Sequence, residues 1–97
     1  MENQAIKNKI IPILKRQGAT KAAIFGSFAR GEENKNSDLD LLVEFKKSKS
    51  LLEMIRIQFE IEKKIGRKVD LLTYNGINHR LKDIILKEQK VIYEKRN

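Results

Sequence analysis

The chain has 97 residues, a formal net charge of +8, and 35% charged residues against 40% hydrophobic ones. That balance bounds it to a single domain, residues 1–97, with a modest core, and excludes a disordered chain. It contains no cysteine, which excludes disulfides and thiolate metal sites, and no apolar run approaches the roughly 20 residues of a membrane span.

The N-terminus, Met1-Glu2-Asn3-Gln4, lacks the basic-then-apolar layout of a signal peptide, so a cytoplasmic protein without a membrane partner is expected. The positive charge suits nucleic acid, a nucleotide or an acidic protein. Basic residues are scattered, with small clusters at Lys46, Lys47 and Lys49, at Lys63, Lys64, Arg67 and Lys68, and at Lys95 and Arg96. Few aromatics accompany them, so stacking platforms for a single strand are lacking and direct nucleic-acid binding is not expected.

The first predicted element is a helix over residues 3–17, with Ile6, Ile10, Ile13 and Leu14 at helical spacing. Pro12 should kink or interrupt it, and Gln17-Gly18 should stop it. Thr20 to Phe25 reads as a buried strand ended by Gly26. Ser27 is expected to cap a short helical turn reaching Arg30, closed by Gly31. Residues 32–37 are polar and read as a loop.

Asp38 to Phe45 is the clearest strand. Leu39, Leu41, Val43 and Phe45 alternate with Asp38, Asp40, Leu42 and Glu44. Ser50-Leu51-Leu52-Glu53 is a capping box that starts a helix running to Ile65, with Gly66 as its stop. The apolar residues of this helix cover about 220° of its circumference, more than a surface helix needs. Either it is wedged between two other elements, or Met54, Ile57 and Ile61 face a partner protein. Lys68 to Thr73 is the next strand, residues 81–89 a further amphipathic helix, and Val91-Ile92-Tyr93 a short edge strand. His79, the sole histidine, lies outside every motif and reads as a surface residue.

This order predicts an α/β (α+β) fold, a small mixed sheet with helices on one face. The strand-helix-strand unit from 38 to 73 should be a right-handed parallel crossover. The first two strands should be antiparallel, which brings Gly26-Ser27 beside Asp38.

Two residues apart on a strand point the same way about 6.6–6.8 Å apart, so Asp38 and Asp40 converge on one patch. Asp70 has the same phase relative to Val69 and Leu71 and would join them. Three unpaired carboxylates repel one another, and a hard divalent cation relieves this. The expected ion is Mg²⁺, one or two, with Mn²⁺ as a substitute. Gly26 lets backbone approach a phosphate, and the Ser27 hydroxyl and nearby N–H groups supply donors. This is not a Walker A loop, because no Gly-Lys-Ser/Thr follows.

Gly26-Ser27, ten residues, Asp38-Leu39-Asp40 and a later Asp70 together resemble the DNA polymerase β-like nucleotidyltransferase superfamily. The finer match is to its minimal nucleotidyltransferase (MNT) branch. It rests on Phe25 to Glu32, on Ser37 to Phe45 and on Val69-Asp70-Leu71-Leu72-Thr73. The resemblance implies a polymerase β-like fold and a metal-dependent transferase that moves AMP from ATP onto a hydroxyl, releasing pyrophosphate. In it Asp38, Asp40 and Asp70 bind metal and carry catalysis, with Asp70 helping to deprotonate the acceptor. Gly26 and Ser27 hold the triphosphate. Arg30 either contacts a phosphate or forms a surface salt bridge with Glu32 or Glu33.

Stand-alone proteins of this branch are similar to antitoxins of HEPN/MNT toxin–antitoxin systems, so the resemblance implies a HEPN ribonuclease toxin as partner and a tyrosine as acceptor. Two other readings stay open: a non-catalytic antitoxin that neutralises by contact, and nucleotidyl transfer to a small molecule.

Overall fold

In the computed structural model, which describes residues 2–95, the chain runs α1 (Glu2–Arg16), β1 (Ala19–Phe25), α2 (Gly26–Arg30), β2 (Leu39–Phe45), α3 (Leu51–Ile65), β3 (Val69–Thr73), α4 (His79–Glu88) and β4 (Lys90–Glu94). A 3-10 turn at Tyr74–Gly76, absent from the expectation, links β3 to α4. The four strands form one mixed sheet in the order β3-β2-β1-β4. β1 pairs antiparallel with both β2 and β4, and β2 pairs parallel with β3. The pairing senses predicted for the first three strands are those observed.

The alternation in β2 divides the interior. Leu39, Leu41 and Val43 join Ala22, Ile24, Val69 and Leu71 in a first core, covered by Ile10, Ile13 and Leu14 of α1 and by Ile57 and Ile61 of α3. An Arg16–Glu60 ion pair ties the two covering helices at the surface. The opposite face carries a smaller core of Ala23, Phe25, Leu42, Ile77 and Ile85. Helices therefore cover the first face as expected, and α4 additionally covers part of the second, next to the aspartates.

Three local expectations need revision. Pro12 does not interrupt α1, which continues to Arg16. Ile10 and Leu14 are fully buried on either side of it, and that packing outweighs the lost backbone hydrogen bond. β2 begins at Leu39, so Asp38 precedes the strand. On α3, Ile57 and Ile61 are buried and Met54 packs against the core, so these three do not face a partner. The apolar residues left outside are Leu51, Leu52, Ile55 and Phe59, a ridge along the helix.

The capping box forms as predicted. The Ser50 hydroxyl accepts from the Glu53 N–H at 3.1 Å, and the Glu53 carboxylate accepts from the Ser50 N–H at 2.9 Å. Gly66 closes α3 in the left-handed conformation. Asn78 caps α4 through its side chain, and His79 is exposed at the first turn, as read from the sequence. Among the described residues, no helix is long and apolar enough to cross a membrane.

Candidate active site

The aspartates gather at one end of the sheet, where β1 stops and β2 and β3 start. Asp40 stands opposite Phe25 on one side and opposite Asp70 on the other. Neighbouring strands lie about 4.7–4.9 Å apart, so Asp40 and Asp70 are side by side on the same face. Asp38 lies just before β2, two residues upstream of Asp40, and its charge acts on the Asp40 carboxyl. Asp38 and Asp70 are exposed and Asp40 is half-buried. Asp70 forms no ion pair with Lys68 among the described residues.

Gly26 determines how close the backbone comes to this patch. Directly after Phe25 it turns at φ +70°, and a Cβ there would sit 2.2 Å from Asp40 Oδ2. The residue needs both the left-handed backbone and the missing side chain. The space that Gly26 opens is thus filled by a carboxylate of the patch. Ser27 follows as the second residue of α2. It is not the cap: that position belongs to Phe25, with no side-chain bond, because β1 runs extended to the turn itself. Gly31 closes α2 with φ 72°, as expected, and its N–H and that of Glu32 bond the Ser27 carbonyl.

Arg30 is exposed at the end of α2. Its Nε donates to Glu32 Oε1 at 2.8 Å, and its Nη1 donates to both carboxylate oxygens of Glu88 at 3.0 and 3.1 Å. Glu32 was one of the anticipated partners, and Glu33 is replaced by Glu88. The latter lies at the C-terminal end of α4, so this pair joins α4 to α2. Sequence reasoning missed Glu88 because its partner is 58 residues away. The only cue was an acidic residue near a helix C-terminus, where the macrodipole disfavours it.

Electrostatics sets Asp40 apart. Its carboxyl is pushed up to about 6, first by loss of hydration and then by the charges of Asp70 and Asp38, with Glu88 adding slightly and Arg30 opposing. A folded-state value above the ordinary 3.8 means that the native protein binds a proton the unfolded chain releases. The contribution of Asp40 to stability is therefore greatest below about pH 4 and is lost as the pH rises through about 6. Asp40→Asn removes that penalty. In urea unfolding with chelator present, the variant is expected to be more stable than wild type at pH 7, with the gap shrinking towards pH 4. A gap independent of pH would show that Asp40 is not held in this way.

The donor set is three carboxylates with neither nitrogen nor sulfur, which suits a hard cation such as Mg²⁺ or Mn²⁺. Mutual repulsion at Asp40 fits the same ion. Among the described residues the side chains do not converge into a three-ligand cluster, so the patch is a shared face rather than a closed cage.

Comparison with known proteins identifies the family. The family "Polymerase beta, Nucleotidyltransferase" matches residues 8–97. A relative from Methanocaldococcus jannaschii, named provisionally as protein adenylyltransferase MJ0435, is 52% identical over 88 residues, 91% of this chain and 95% of that one. The protein adenylyltransferase MntA of Thermococcus cleftensis is 35% identical over 78 residues, 80% of this chain and 77% of that one. Among solved structures, a toxin-antitoxin with AMP-PNP superposes with a TM-score of 0.83 at 21% identity, over 93% of this chain and 74% of the other, a likeness of fold. With the family matched over nearly the whole length and the aspartates on one sheet face, the chain belongs to the polymerase beta nucleotidyltransferase family and is a nucleotidyltransferase.

Proposed function

We propose that this protein transfers AMP from ATP to a hydroxyl, a tyrosine, of a partner HEPN ribonuclease toxin and thereby acts as the antitoxin. The observation that carries the transfer reading is the register pairing of Asp40 with Asp70, with Gly26 closed against Asp40. The protein-acceptor part draws on the adenylyltransferase names of the relatives and on the toxin-antitoxin neighbour with AMP-PNP.

In this reading Asp38, Asp40 and Asp70 hold the divalent cation, Mg²⁺ with Mn²⁺ as substitute, which when bound neutralises charge building on the triphosphate. Gly26 and Ser27 receive the phosphates, whereas Arg30 is engaged by Glu32 and Glu88 in the surface ion pairs described above. The acceptor oxygen attacks the α-phosphorus in line. A new oxygen–phosphorus bond forms as the bond to the β-phosphate oxygen breaks, and pyrophosphate leaves. The acceptor proton passes to Asp70 or to water.

The ridge of Leu51, Leu52, Ile55 and Phe59 on α3 supports contact with a protein acceptor, since contiguous exposed apolar residues mark interaction surfaces. It equally favours a second reading, neutralisation by contact alone. Incubation with α-phosphate-labelled ATP, Mg²⁺ and the HEPN protein is expected to label that protein. Absence of label with folded wild-type protein would remove the transfer reading and leave contact.

A further inference from the structure

The loop from Gly31 to Asp38 has no regular secondary structure, yet it ends on Asp38, two residues before Asp40. Its geometry is set by a small closed turn. The Ser37 N–H donates to the Asn34 carbonyl at 3.0 Å, the Asn34 N–H to Ser37 Oγ at 2.9 Å, and the Asn36 N–H to Asn34 Oδ1 at 2.8 Å. A side chain from the start of β3's segment, Arg67, fastens this turn to the rest of the protein. Arg67 Nη1 donates to the Asn34 carbonyl at 2.8 Å and to the Ser37 carbonyl at 2.7 Å. Its guanidinium lies 5.0 Å from the ring centroid of Phe28, itself 1% exposed.

The Ser37 carbonyl belongs to the peptide that joins Ser37 to Asp38. On the other side of Asp38, the Leu39 N–H donates to the Lys68 carbonyl at 2.9 Å. Asp38 is therefore gripped at both flanking peptides by consecutive residues, Arg67 and Lys68. The same segment continues into β3 and reaches Asp70 three residues after Arg67. Charge-assisted bonds to carbonyls are stronger than neutral ones, and a planar guanidinium can stack on a ring while donating along its edge. A lysine offers a point charge on a thinner stem.

We propose that Arg67 is a positioning residue that fixes Asp38 relative to Asp40 and Asp70. It acts through the loop backbone and does not touch the reacting atoms. Its part in catalysis rests on the transfer reading above, whereas its hold on the loop can be measured without any turnover.

The test compares wild type with Arg67→Met, which keeps much of the stem but loses the donors, and Arg67→Lys, which keeps a charge. With ATP, Mg²⁺ and the HEPN acceptor, Arg67→Met is expected to lower kcat about 100-fold, the scale of an ångström-sized misplacement, with KM for ATP little changed. Arg67→Lys should recover part of that loss. In amide exchange without nucleotide, Arg67→Met should speed exchange at Ser37 and leave Leu41 to Val43 protected. Wild-type kcat in a folded Arg67→Met, or unchanged exchange at Ser37, would overturn the proposal. So would a uniform rise in exchange across β2 and β3 with kcat falling only as the folded fraction falls, and Arg67→Lys then decides the matter should Arg67→Met not fold. If wild type transfers nothing, the transfer reading fails, and the exchange result still decides whether Arg67 holds the loop.

Discussion

Replacing Asp38 and Asp40 together by asparagine is expected to abolish labelling of the acceptor, by at least about 10³-fold, while the protein stays folded. A loss of that size corresponds to about 4 kcal/mol of transition-state stabilisation, the scale expected when the ligands of a catalytic cation are removed. The fold should not suffer. Asp38 is exposed and Asp40 half-buried, and neither makes a side-chain hydrogen bond or ion pair among the described residues. Loss of hydration first, and then the charges of Asp70 and Asp38, raise the Asp40 carboxyl to about 6, and neutral amides at 38 and 40 remove the charge that both disfavour. The variant should therefore match or exceed wild type in thermal stability. Kinetics and a melting curve on the same preparation check both halves. The variant also separates the two functional readings, because a protein acting by contact alone would still silence its toxin in cells.

The second large effect is expected at Gly26. In Gly26→Ala, the added methyl would lie 2.2 Å from Asp40 Oδ2 on a backbone at φ +70°. Left-handed backbone costs an alanine about 1–2 kcal/mol. In a domain of this size, that lowers Tm by roughly 5–15 °C, because each kcal/mol shifts it by about 4–8 °C. Activity should fall by more than about 10²-fold, since the Asp40 carboxylate must move to make room. Gly18→Ala is the control. Gly18 also has a positive φ, 84°, but nothing lies within 4 Å of its would-be Cβ. It should lose stability on a similar scale and keep activity per folded molecule. Equal activity losses at both positions would mean that backbone strain, rather than the clash with Asp40, governs the effect.

The parts of this site legible in the sequence were those fixed by local period and local chemistry. A strand repeats every two residues, so Asp40 and the apolar Leu39, Leu41 and Val43 declared opposite faces at once, although Asp38 itself lies just before β2. Asp70 followed from the same rule, and Gly31, Gly66 and Ser50 announced their caps. Long-range partners left no such trace. Arg67 lies 33 residues from Asn34 and Glu88 lies 58 from Arg30, and nothing in either side chain specifies those neighbours. The division of α3 between core and solvent was hidden for a related reason. Its apolar arc is wide enough for two faces, and only packing against β3 and α1 decides that Ile57 and Ile61 go inside while Phe59 stays out. Pro12 misled because a local penalty was outweighed by the burial of Ile10, Ile13 and Leu14 around it.

In the proposed reaction the aspartate patch beside Gly26 moves the nucleotidyl part of ATP. Parallel incubations with ATP labelled at the α- or the γ-phosphate, with Mg²⁺ and the HEPN acceptor, test it most directly. α-Label is expected on the acceptor and γ-label in released pyrophosphate, both lost in the Asp38→Asn/Asp40→Asn protein. Retention of γ-label on the acceptor, or α-label transfer undiminished in that variant, would contradict it.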